Sequence, residues 1–198
     1  MRMDIDRSGA LMDVMTARLA SPVSRWAGEA TLAVAGVTLL ALSARVIIPL
    51  PFTPVPVTGQ TFAVLLLAAA YGARRGLATV ALYILAGVVG LPVFAAGADV
   101  ASYGYIAGFA LAAIVIGWLA ERGWDRALPT SILAMLAGEV AIYLCGLLWL
   151  ARFVGWSNVI PLGLEPFLVG DALKLLAAAL LLPATWLGVR AALGREER

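Results

Sequence analysis

Residues 166–189 form an apolar run long enough to cross a bilayer as one helix, yet Asp171 and Lys174 interrupt it near its start. On insertion scales a charge at the bilayer centre costs roughly 3 kcal/mol, so such residues pair with one another or face a cavity. At spacing i, i+3 the carboxylate and the ammonium share one side of the helix, one turn apart. Two readings stand open. The pair is either a self-neutralising device that makes the helix insertable, or a polar recognition point walled by apolar helices. The second is the usual make-up of a small-molecule site.

The rest of the chain obeys the same constraint. Hydrophobic residues make up 63% and charged residues 13%, against about 25% charge in a soluble domain. The chain therefore reads as an all-α integral membrane protein. A β-barrel is excluded because barrel strands alternate apolar and polar residues. There is no His, and Cys145 is a lone cysteine in an apolar run, which excludes metal sites and disulfides. Many enzyme mechanisms also lose their commonest proton shuttle.

Residues 1–26 are polar and mixed. No compact apolar core with a small-residue cleavage site follows a basic start, so they read as a cytosolic tail and not a signal peptide. Leu11, Met12, Met15 and Leu19 give this tail one weak amphipathic face. A transmembrane domain over 27–190 then holds six apolar segments, at about 30–50, 61–73, 77–89, 105–120, 130–150 and 166–189, and 191–198 form a second short cytosolic tail. The second and third are short for a full crossing. Between the first two lies Pro51-Phe52-Thr53-Pro54-Val55-Pro56-Val57-Thr58-Gly59-Gln60, whose prolines forbid a helix and favour an extended backbone. It is either a lid over a site or a rigid connector. The loop 95–104 is built of small residues and lets backbone approach a ligand closely.

Six spans place both termini on one side. Taking that side as cytosolic puts Arg2, Arg7, Arg18, Arg25, Arg74, Arg75, Arg122, Arg126, Arg190, Arg195 and Arg198 inside, with Arg152 outside and Arg45 near the outer end of the first span. The Pro-rich loop, the small-residue loop and the start of the sixth span then share the outer face. Asp171 lies roughly 8 Å below Pro166 at about 1.5 Å per residue. Three outer features converge on the Asp-Lys pair, which favours the recognition reading.

The blocks Pro54-Val55-Pro56-Val57-Thr58-Gly59-Gln60-Thr61, Gly90-Leu91-Pro92-Val93-Phe94, Gly104-Tyr105-Ile106-Ala107-Gly108-Phe109, Gly138-Glu139 with Ile142-Tyr143, and Pro166-Phe167-Leu168-Val169-Gly170-Asp171-Ala172-Leu173-Lys174 together resemble the BioY family. These are the biotin-specific S components of energy-coupling factor (ECF) transporters. The blocks keep the family's order and cover about residues 30–190. The resemblance implies a six-helix S-component fold in a bacterial or archaeal cytoplasmic membrane, with high-affinity capture of biotin from outside. It also implies a transmembrane coupling protein and two ABC ATPase subunits as partners. No Gly-x-x-x-x-Gly-Lys-Ser/Thr phosphate loop occurs in the chain, in keeping with ATP hydrolysis on other subunits. No cofactor, metal or nucleic acid is implied.

The sequence departs from the family pattern twice. Before Tyr105 it carries Ala101-Ser102-Tyr103-Gly104 where the family has Pro-Thr-Gly-Gly, and the loop is shorter. The first span has no strict Ala-x-x-x-Ala motif, only Ala27, Ala30, Ala33 and Gly36 at helical intervals.

Biotin offers a ureido ring with two N–H donors and one acceptor, an apolar thioether ring and a carboxylate tail. Asp171 suits a ureido N–H, and Lys174 suits the ureido oxygen or, as the weaker choice, the tail. Phe94, Tyr105, Tyr143 and the Pro-rich loop are candidates for apolar walls. Gln60 and Ser102 are candidates for polar edges, and Asp99 is carried over from the family's small-residue loop. For the aromatics, ordinary helix packing is the competing role. Glu139 is expected to pair with Arg45 or Lys174, or to be protonated. Competing functions are capture of another small vitamin, an intramembrane enzyme, and a structural membrane subunit.

Overall fold

The computed structural model describes residues 9–16, 21–97 and 99–196. In chain order it contains α1 (Leu11–Thr16), α2 (Pro22–Ser43), β1 (Ile47–Ile48), β2 (Val57–Thr58), α3 (Gln60–Val88), a 3-10 turn (Val100–Ser102), α4 (Tyr103–Ala120), α5 (Leu128–Val154), α6 (Val159–Gly163) and α7 (Leu168–Glu196). Five of the helices are long and apolar enough to cross a membrane, which makes this a multi-pass membrane protein.

α2 starts and stops earlier than its apolar run. Ser21 accepts from Ser24 N while the Ser24 hydroxyl accepts from Ser21 N, a reciprocal cap at 3.1 Å on each side, and Pro22 supplies a first-turn φ. The helix therefore runs into the segment expected as a tail. It ends at Ser43, well short of Leu50, because residues 47–58 turn back as a short antiparallel ladder. Of the expected amphipathic tail, Leu11 is buried and Met12 packs on the core, while Leu19 lies outside the described residues.

The two short apolar segments are joined within α3. At Gly72 the backbone leaves the helix with φ 80° and ψ 173°, a left-handed conformation natural to glycine. The amide of Gln60 donates to Tyr83 Oη at 2.7 Å. In a straight helix those residues would stand about 35 Å apart. α3 is thus a hairpin of two antiparallel arms. Glu121 closes its turn, accepting from Ala73 N at 2.8 Å.

The core sits between the α3 arms, α4 and α5. Ala68, Ala69, Gly76, Ala112 and Ala113 let backbones approach, with Leu65, Ile116, Met135 and Ile142 filling between them. α2 is peripheral and largely exposed, whereas α3 is mostly buried. At the Arg-rich end, Arg75 bridges Asp13 and Glu29 and so ties α1 and α2 to the hairpin. Asp125 there accepts from Trp186 Nε1 at 2.5 Å. Burial pushes that carboxyl above its usual range, and the Trp186 hydrogen bond opposes the shift.

α4 presses on the hairpin turn. A Cβ at Gly117 would stand 2.2 Å from Ala73 N. Gly117→Ala is expected to cost about 1–3 kcal/mol, seen as a lower thermal midpoint in detergent. Gly188→Ala, with nothing within 4 Å of its added carbon, is expected to leave the midpoint unchanged. Equal midpoints for the two variants would contradict the close crossing.

Candidate functional site

Away from the Arg-rich end, one cleft opens between the Pro-rich loop, the first arm of α3, α4, α5 and α7. Its empty space, open mouth included, spans about 560 Å³. The roof comes from the loop. Ile47 pairs with Thr58 and Ile48 with Val57, and Gly59 N donates to Val46 O at 2.9 Å. The Thr53 hydroxyl donates to Leu162 O at 2.7 Å, fastening the loop to α6. Val55, Pro56 and Thr58 then line the cleft. The loop walls the site and does more than connect two helices.

The polar end gathers three helices around one carboxylate. Asp171 lies in the first turn of α7, where the helix dipole favours negative charge. Lys174 Nζ donates to Asp171 Oδ1 at 2.7 Å and to Thr61 Oγ at 3.1 Å. Thr61 passes a hydrogen bond on to Asp171 Oδ1 at 3.2 Å, and Tyr143 Oη donates to Oδ2 at 2.5 Å. The side chains of Lys174 and Asp171 are 19% and 10% exposed, and both line the cleft. A carboxylate offers about four acceptor positions and an ammonium three donors. Three acceptor positions and two donors are in use, so one acceptor on Oδ2 and one N–H remain for a guest.

The other walls are apolar. Ile106, Phe109, Ile142 and Phe167 line the cleft with Tyr105, whose ring meets Tyr143 at 6.3 Å and Phe167 at 6.5 Å between centroids. The Tyr105 hydroxyl donates to Gly163 O at 2.8 Å. Gln60 lines the cleft with its amide anchored on Tyr83, which donates in turn to Val93 O at 3.0 Å. Ser102 lines it as well, and its buried hydroxyl has no hydrogen-bond partner.

Of the residues expected from sequence, Asp171, Lys174, Tyr105, Tyr143, Gln60 and Ser102 meet at this cleft. Phe94 does not line it. Its ring packs on Tyr83 and Tyr103, with centroids 5.4 and 6.0 Å away, in space left by Gly87. Asp99 is exposed and accepts from Val100 N at 2.6 Å, capping the 3-10 turn. Arg45 is exposed and donates to Pro92 O, so it does not neutralise Glu139; Glu139 is buried with neither oxygen partnered. Thr61, Ile106, Phe109, Ile142 and Phe167 also line the cleft and are absent from the sequence candidates. Phe167 stands four residues before Asp171, on the same helical side, and that spacing is the signal that could have found it.

The BioY family model matches residues 14–191. A protein of Pyrococcus horikoshii described as a probable biotin transporter BioY is 34% identical over 78% of this chain and 94% of its own length. The biotin transporter BioY of Thermotoga maritima is 40% identical over 68% of this chain and 82% of its own. A crystal structure of the S-component for biotin from an ECF-type ABC transporter aligns with a TM-score of 0.73 at 19% identity, covering 84% of this chain and 94% of that one. At that identity the likeness speaks for the fold.

Lys174→Met leaves Asp171 charged and short of its cationic donor, an expected loss of about 2 kcal/mol in unfolding free energy. The double variant Lys174→Met/Asp171→Asn is expected to lose less than the single. A double loss as large as the single would show that the pair is not held by mutual charge.

Proposed function

We propose that this chain, which belongs to the BioY family, captures biotin and serves as the substrate-binding subunit of an ECF-type transporter in the cytoplasmic membrane. The observation that carries this reading is the free acceptor on Asp171 beside the free N–H of Lys174, both at one end of an apolar cleft. A cyclic urea presents the complementary pair: an N–H for the carboxylate and a carbonyl oxygen for the ammonium. The thioether ring suits the wall of Ile106, Phe109, Ile142 and Phe167. The carboxylate tail is left toward the mouth. The names of the relatives support the same ligand.

Counting the α3 hairpin as two passes gives six crossings and brings both termini to the Arg-rich end. The positive-inside rule assigns that end to the cytosol, so the cleft opens outward, as capture from the medium requires. Energy for release then comes from partner subunits, a membrane-embedded coupling protein and two ABC ATPases.

Each charge-assisted hydrogen bond contributes about 1.5–3 kcal/mol net, whereas nanomolar capture needs about 12 kcal/mol. The larger share therefore falls to buried apolar surface and to the roof loop. With labelled biotin and the protein in lipid nanodiscs, Asp171→Asn and Lys174→Ala are each expected to keep the fold and weaken binding at least about tenfold, a loss of about 1.4 kcal/mol. Unchanged affinity in both variants removes the site assignment. Stronger competition by another vitamin than by unlabelled biotin reassigns the ligand.

A further inference from the structure

Ser102 lines the cleft, and among the described residues its hydroxyl is the one polar side-chain group there without a hydrogen-bond partner. It occupies the N-cap position of α4, where a serine hydroxyl ordinarily accepts from a first-turn amide, yet it makes no such bond. The preceding 3-10 turn is capped instead by the exposed Asp99, and the Ser102 amide closes that turn on Asp99 O at 2.8 Å. Ser102 is 6% exposed. Leaving a hydroxyl so buried unpaired is costly and uncommon in native proteins. The serine is explained neither by capping nor by packing, and it borders the space a ligand fills.

On α4 the cleft-lining residues Ser102, Tyr105, Ile106 and Phe109 recur at helical spacing, so one face of this helix runs down the wall. Ser102 is the outermost of them, with Val100 and Tyr103 beside it exposed. Tyr105, about 4.5 Å further along the axis, is the one that meets Tyr143, whose hydroxyl holds Asp171. Ser102 therefore stands on the mouth side of the charged end, where the ligand's tail is left. Lys174 is committed to the charged end and Arg45 to Pro92 O, so neither cation serves the mouth. What the mouth offers an anion is the start of an 18-residue helix, which carries partial positive charge, and beside it an unpaired O–H donor. Together these suit a carboxylate. We infer that Ser102 donates its hydroxyl to the carboxylate tail of the captured ligand, and that this contact makes the site prefer a free acid to a neutral-tailed analogue. The assignment rests on the biotin reading proposed above.

The test compares biotin with biotin amide, whose tail is neutral, by competition against labelled biotin on the protein in nanodiscs. Wild type is expected to bind the acid about tenfold more tightly than the amide. Ser102→Ala is expected to weaken biotin about tenfold, a loss of about 1.4 kcal/mol, and to change the amide much less, so that the preference is largely lost. Asp171→Asn is expected to weaken both compounds alike, because they share the ureido ring. The thermal midpoint of empty Ser102→Ala is expected to be no lower than that of wild type, since the hydroxyl has no partner to lose. Equal wild-type affinity for acid and amide overturns the inference without any variant. So does Ser102→Ala with unchanged biotin affinity, or with equal losses for acid and amide, and in each of these cases the biotin reading stands. A lower midpoint in Ser102→Ala marks the hydroxyl as structural and overturns the inference as well. Absence of biotin binding in wild type overturns the biotin reading, and this subsite with it.

Discussion

A carboxylate and an ammonium 2.7 Å apart, in a segment otherwise fit for lipid, organise the neighbouring helices. Burying such a pair is costly unless other groups satisfy the remaining lone pairs and protons. Thr61 from α3 and Tyr143 from α5 do so for Asp171. Each of these bonds fixes one helix against α7, so satisfying the charge and assembling the walls of the cleft are one process. The cleft is polar at that end and apolar elsewhere because the charges accept neighbours only where hydrogen bonds are on offer.

The hairpin at Gly72 makes that assembly possible. A straight α3 would carry Tyr83 far from Gln60. Folding back joins Gln60 to Tyr83 and Tyr83 to Val93, bracing the start of the first arm, where Thr61 meets α7. The turn is itself seated by Glu121 and by the bare backbone of Gly117. A glycine and a capping carboxylate at the Arg-rich end thus hold the register of a threonine at the other.

Much of this was legible in the residues. The apolar runs and the arginines between them gave the helices and their order, and the i, i+3 charges in the last run marked the polar end of the cleft. The beginning of α2 was not legible from hydropathy, because the Ser21–Ser24 cap and Pro22 start the helix in polar sequence. Phe94 and Asp99 sit in the right loops, but loop side chains are aimed by local contacts, a ring stack for one and a helix cap for the other. The sequence leaves Glu139 to pair with Arg45 or Lys174, or to be protonated; Arg45 donates instead to Pro92 O, a contact set by the loop and not legible in the residues. Thr61 escaped notice because a single hydroxyl at the start of an apolar helix resembles any other until the opposite helix is in place.

Thr53 and Tyr105 both hydrogen-bond to carbonyls at the end of α6, on Leu162 and Gly163. A few residues later the same backbone supplies Phe167 and enters α7, whose first turn carries Asp171. The roof, an aromatic wall and the charged anchor are therefore strung on one short length of chain. A shift of α6 cannot loosen the mouth without also tugging the bottom of the cleft, so entry and grip behave as the two ends of a single lever.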